Sequence, residues 1–245
     1  MVELLVATSI VLILAGLLLP VVSRVKVATS RAISAHSLGQ LMASGRLYLN
    51  DHNNYFWPYE TIVPGKGAQW WYGFESSASL RMPEGERTCD YSQGPLGGYA
   101  ITSGGIQTDP AFLQYSPRLK PKYKDGNYGY GYNTVLAADS NGNPRNAMTV
   151  ASPSGMVVFA TCAQVNTFQS PASAHNPMIE EFYMINDTET TAHFRHGTDA
   201  LAAFLDGSVR PLSMAEDMAP GSQDMRIPSA NIGRFKTSYV RQAGW

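Results

Sequence analysis

Two cysteines in 245 residues, Cys89 and Cys162, are too few and too far apart for a zinc knuckle or a C-x-x-C redox pair. They leave two readings open: one disulfide, as an oxidising compartment would allow, or two separately buried thiols. Charge is scarce as well, since only 15% of residues are charged and 18 basic side chains stand against 19 acidic ones. That balance excludes a basic groove for nucleic acid and supplies no field to capture an acidic partner. Ser, His and Asp are all present, yet no Gly-x-Ser-x-Gly elbow, phosphate loop or dinucleotide fingerprint occurs. Glu180-Glu181 reads as a solvated pair at a strand start, and no enzymatic activity is expected. The N-terminus has neither the basic n-region nor the small-residue cleavage site of a secretory signal.

What is present is an uncharged run from Leu4 to Val22, headed by the single carboxylate of Glu3. As a helix it reaches about 28 Å at ~1.5 Å per residue, close to the ~30 Å hydrocarbon core of a bilayer. A carboxylate at the edge of that core costs roughly 2.5 kcal/mol or more unless it finds a partner, so Glu3 is a candidate functional residue. Its plainer role is to sit among headgroups at the positive end of the helix dipole. Pro20 lacks the N–H that would bond the carbonyl of Gly16, so the turn from Gly16 to Pro20 is expected to kink or unwind.

Beyond Pro20, Ala28, Ala35, Leu38, Met42, Gly45 and Leu49 recur at helical steps, with Arg24, Lys26, Arg31 and Arg46 between them. The run ends in the stop signals of Asn50, Asp51, His52, Asn53 and Asn54. Residues 1–53 therefore form one helix of about 75 Å at ~1.5 Å per residue. Residues 1–22 are its membrane-spanning part, and the amphipathic part, 23–53, lies on a globular head of residues 54–245.

Glutamate, an uncharged span, proline 17 residues later and an amphipathic continuation together resemble the type IV pilins and the pseudopilins of type II secretion. The resemblance rests on VELLV, on ILAGLLLPVVSR, and on the identity and separation of Glu3 and Pro20. It implies a subunit held in the inner membrane that polymerises through its helix into an extracellular filament of identical copies, or a periplasmic one for a pseudopilin. It also implies a prepilin peptidase and an assembly machinery. In such filaments Glu3 would pair with the N-terminal amine of a neighbour, because two charges entering an apolar core together cost less than either alone. Gly16 and Pro20 would be the stretch that melts. The family places a methylated residue four positions before the glutamate, behind a basic leader. Met1 stands two before it, so a leader and two mature residues are expected to precede it.

The head reads as α+β, a long helix packed on an antiparallel sheet domain with long loops. Residues 55–74 carry eight aromatic residues with prolines and glycines, which predicts turns and short extended pieces over a core. An aromatic platform for a surface polysaccharide is the functional alternative, and a membrane-anchored binding protein would use it. Residues 76–121 show little periodicity and are expected to be irregular, braced by Cys89. Asp125-Gly126 is a turn signal, Tyr128, Tyr130 and Tyr132 alternate as a strand would, and Met156–Ala163 is a buried strand.

TTAHFRHGTDALAAFLDGSVRPL predicts a three-stranded meander with Asp206-Gly207 as its second turn. His196, nine residues, then Asp206-Gly207 resembles the C-terminal signature of a large pilin-like group abundant in planctomycetes and verrucomicrobia. His193, His196, Asp199 and Asp206 are close enough in sequence to raise a metal site. Calcium, which some pseudopilins carry, wants oxygen ligands, and zinc needs a tetrahedral set that no spacing here guarantees. No cofactor is therefore expected, and His196 reads as a turn residue bonded within the hairpin. The tail from Ser213 to Trp245, with Met214, Met218 and Met225, reads as an extended arm over the surface.

Overall fold

The computed structural model describes residues 2–99, 108–124, 126, 128–215 and 222–245. In chain order its regular elements are the helix α1 (Val2–Asp51) and strands β1 (Glu60–Val63), β2 (Gly67–Trp70), β3 (Gly73–Ser76), β4 (Leu119–Lys120), β5 (Tyr130–Asn133) and β6 (Val157–Thr161). They continue with β7 (Gln164–Asn166), β8 (Met178–Glu180), β9 (Met184–Ile185), β10 (Ala192–His193), β11 (Asp199–Phe204), β12 (Val209–Ser213), β13 (Ile232–Gly233) and a short helix α2 (Thr237–Val240). The fold is α+β, with the long N-terminal helix on a mostly antiparallel sheet domain, as the sequence predicts.

The helix runs unbroken through Gly16 and Pro20, so the expected unwinding there is absent. Proline removes one backbone bond, and the apolar turns on either side, with Ser23 Oγ donating to the Leu19 carbonyl at 3.1 Å, keep the segment helical. From Val2 to Thr29 every residue whose side chain is described is exposed. Burial begins at Ser34, later than the stripe predicted from Ala28, and takes in Ser37, Leu38, Leu41, Met42, Ser44, Gly45 and Leu49. Length and composition suit α1 for crossing a membrane.

The central sheet has five strands in the order β12-β11-β6-β5-β9, and α1 lies against β11, β6 and β12. It is covered on both faces. Leu201 and Ala203 of β11 join Leu38, Leu41, Met42, Trp57, Tyr132 and Phe159 on the helix side. Ala200, Ala202 and Phe204 join Phe194, Phe235 and Val240 on the other side. That second cover is the C-terminal segment, so the tail is core rather than a surface arm: Ile227, Ile232, Phe235 and Val240 are all buried, while Met218 lies outside the described residues. Double coverage also explains why β6 and β11 read as continuous apolar runs.

Tyr128, Tyr130 and Tyr132 share the helix-side core, and Met156–Ala163 contains the fully buried β6, both as predicted; Asp125 of the predicted turn lies outside the described residues. The aromatic stretch forms the meander β1-β2-β3, and its largest rings pack inward, with Trp57, Trp71 and Tyr72 buried and Trp71 Nε1 donating to the Tyr183 carbonyl at 2.7 Å. A sugar platform built on those rings has no exposed face. Between Ser76 and Pro121 the described residues hold short 3-10 turns and β4.

One reading left open is decided and two further expectations are corrected. The two thiols are free: Cys89 packs on Gly73 of β3 and Cys162 on Gly131 of β5, so they belong to different sheets, and burial pushes both up. The C-terminal meander has two strands, β11 and β12, because β10 leaves it to pair with β13 of the tail. Glu180 and Glu181 are buried, not solvated. Burial pushes the Glu181 carboxyl up to about 7, against hydrogen bonds from the backbone N–H groups of Lys122 and Tyr123.

Candidate functional site

The contact between helix and sheet joins His196 and Asp206, singled out in the sequence, to polar residues that were not. It begins with small residues on α1. A Cβ on Gly45 would stand 2.6 Å from the Trp57 ring, so glycine there lets the indole close on the helix. Higher on the same face, Ser34 Oγ donates to Asp109 Oδ1 at 2.6 Å while keeping a 2.8 Å contact to the Ser30 carbonyl. The hydroxyl thus reaches across the interface without leaving the helix.

Asp109 is fully buried and fully used. Oδ1 also accepts the Ala111 N–H at 2.8 Å, and Oδ2 accepts Arg195 Nε at 2.9 Å in an ion pair whose two side chains are 0% exposed. Burial alone would raise this carboxyl; Arg195, His196 and Ser34 outweigh it and hold it well below the usual carboxylate range. The guanidinium is spent as completely, on the carbonyls of Cys162 and Gly129 and on His193 Nδ1 at 2.8 Å. Burial and the adjacent Arg195 push the His193 imidazole well below its ordinary value, so the ring is neutral and accepts.

His196 sits one residue on, with Nε2 3.7 Å from Asp109 Oδ2, and its backbone N–H donates to the Asp199 carbonyl at 3.0 Å. The backbone therefore makes the turn that was predicted, while the ring faces the buried carboxylate. At the other end of β11, Gly207 has φ +93° and a Cβ there would lie 2.7 Å from Arg46 Nη1. The positive φ is what calls for glycine here, since the exposed end of Arg46 could swing aside from a Cβ. Arg46 Nη1 of the helix donates to the Asp206 carbonyl at 3.3 Å, and the Asp206 carboxylate is taken by the Ser208 N–H and hydroxyl.

The spacing now has a geometric meaning. Six residues of β11 cover about 20 Å at ~3.3 Å each, and Ser34 to Arg46 covers about 18 Å at ~1.5 Å each. His196 and Asp206-Gly207 are thus the two ends of a strand lying along the buried part of α1, each touching the helix, the first through Asp109 and the second directly. The arrangement clamps helix to sheet at two points.

It does not gather a metal. His193 is engaged by Arg195, Asp199 accepts Ser213 Oγ at 3.0 Å, and Asp206 is a strand length away. Among the described residues no group of three or more His, Cys, Asp or Glu is placed to hold a metal ion. Glu3, exposed in the first turn of α1, and Gly16 and Pro20 lie far from the clamp along the uncovered helix.

Sequence reasoning missed Ser34, Arg46, Asp109 and Arg195. Serines at 34, 37 and 44 on an apolar stripe were the available signal for the first. An arginine set between Phe194 and His196 was the signal for the last. Asp109 falls in the stretch without periodicity and had none. Compared with protein-family models, with curated proteins and with solved structures, the chain matches none of them.

Proposed function

We propose that this chain is the structural subunit of a type IV pilus-like filament, stored in a membrane through residues 1–22 and polymerised through α1. The observation that carries this reading is the split of one helix into an uncovered apolar half and a half clamped to the head. The first half exposes Ile10, Leu12, Leu14, Leu17 and Leu19, among others, to whatever surrounds it. Such a surface needs lipid or other copies of itself, and exchanging one for the other keeps it out of water. The clamp supports the same reading, because a subunit held only by its helix must pass force from helix to head.

In this account Glu3 pairs with a neighbour's N-terminal amine and sets the stagger between subunits. Gly16 and Pro20 are the turn that stretches once neighbours replace lipid. The chain has no catalytic role in this reading. A periplasmic pseudopilin of type II secretion shares all of these mechanics. Electron microscopy of sheared cell-surface material tests the proposal: filaments with helices at their axis support it, and a purely periplasmic protein moves the assignment to the pseudopilin. Glu3→Ala should abolish assembly while leaving the head folded; normal filaments from that variant would overturn the charge-pairing account.

A further inference from the structure

The small sheet β4-β8-β7 holds a group of buried polar side chains that the helix does not use. Register places Lys120 opposite Glu180 on one side and Gln164 opposite Glu180 on the other. With a side-chain period of two, Asn166 shares their face. Lys120, Glu180 and Asn166 are 1%, 1% and 0% exposed. Lys120 Nζ lies 3.0 Å from Glu180 Oε1 and also donates to Glu84. The second oxygen of Glu180 accepts Asn166 Nδ2 at 2.8 Å and Gln164 Nε2 at 2.6 Å. Asn166 Oδ1 in turn accepts the backbone N–H groups of Phe168 at 3.0 Å and Gln169 at 3.1 Å.

We infer that this is the site of a self-catalysed amide cross-link between Lys120 and Asn166. The cluster supplies each part such a reaction needs. Lys120 is the nucleophile, and it and the Asn166 carboxamide nitrogen occupy the two oxygens of one carboxylate. Glu84 takes the ammonium proton and frees the amine, which attacks Cγ of Asn166. Negative charge then collects on Oδ1, where two backbone N–H groups already point. Glu180 removes a proton from the attacking nitrogen and delivers it to the departing one. A bond forms between Nζ and Cγ, the bond between Cγ and Nδ2 breaks, and ammonia leaves with the proton held by Glu84, as ammonium. No oxidant, reductant or further reactant is required.

A buried ion pair alone would use Lys120 and a carboxylate, and the site provides two of those. The Asn166 carbonyl sits in an Asx turn of the kind Asn186 also makes, and its nitrogen is shared between Gln169 Oε1 at 2.7 Å and Glu180; what an ion pair alone would not call for is a carboxamide nitrogen resting on the same carboxylate as the amine. Gln164 fixes the plane of Glu180 and so keeps it facing both partners. The product exchanges a buried cation for a neutral amide that still donates to Glu180, which lowers the cost of burying charge. It would also tie the short β4, and the irregular stretch before it, across β8 to β7. The inference does not rest on the filament reading.

Intact mass spectrometry of the full chain purified in detergent tests it. The expected mass is about 17 Da below the sequence value, one ammonia, with a linked tryptic peptide pair containing Lys120 and Asn166. Asn166→Asp should lose about 18 Da instead, one water, and Lys120→Arg should show its full sequence mass. An unmodified wild-type mass overturns the inference, with no variant needing to fold. So does a wild-type loss of one water, which would place the bond on Glu84 or Glu180. A loss of ammonia that persists in Lys120→Arg also overturns it, since ring closure at Asn141-Gly142 would give that result.

Discussion

The two halves of α1 are one continuous helix in opposite surroundings. Up to Thr29 no described residue covers it, and its apolar residues point in every direction. From Ser34 to Leu49 it is buried on one side, and there the apolar residues are mixed with serines and a glycine. A helix that is apolar all round has no preferred partner face and can be solvated by lipid or by copies of itself. A helix with small and hydroxyl-bearing residues among its leucines has one partner in one register. The difference separates a surface meant to exchange neighbours from one meant never to.

The largest test of that difference is to remove the buried anion. Asp109→Ala leaves Arg195 buried without its carboxylate and should cost about 3–5 kcal/mol, read as loss of head stability in denaturant melts of the full chain. The same pair fixes a pH dependence. Because the Asp109 carboxyl is held below its unfolded value, the stability it contributes is complete above about pH 4 and is lost as pH falls through the folded value. A head that keeps its full stability to far lower pH in Asp109→Ala than in wild type would support that assignment.

Glu181, remote from the helix, provides a reference of opposite sign. Its carboxyl is raised by burial to about 7, so its contribution is present at acidic pH and is lost as pH rises through about 7. Glu181→Gln should remove a slope worth roughly 3 kcal/mol between about pH 4 and pH 7, as read by thermal melts across that range. An unchanged slope would show that another group sets it.

One substitution made in both halves is the most direct comparison. Gly45→Ala drives a methyl to within 2.6 Å of Trp57 and should destabilise the head by about 1–3 kcal/mol. Gly16→Ala meets nothing within 4 Å and should strengthen the helix by about 0.5–1 kcal/mol without touching the head. Circular dichroism melts in detergent read both. Equal effects would mean that the two halves do not differ as described.

Much of this was legible in the sequence where periodicity was strong. The helix, its end near Asp51, β6 and the Asp206-Gly207 turn all follow from local patterning. Elements that depend on distant partners did not. Adjacency in sequence puts β10 in the meander, but its partner β13 lies some forty residues further on. Glu180 and Glu181 read as solvent-facing because two adjacent carboxylates usually are; Lys120 and the backbone of Lys122 and Tyr123, which make their burial tolerable, arrive from another stretch. His196 stands out for its spacing, and only the fold supplies the aspartate it faces.

That nine-residue gap sets a limit on how the chain can vary. A residue inserted within β11 would turn Ala200, Ala202 and Phe204 from one face of the sheet to the other relative to one end of the strand, and would carry either His196 away from Asp109 or Gly207 away from Arg46. Length changes are therefore confined to the loops, and a head of any other size can be carried on this helix only if that one strand keeps its count.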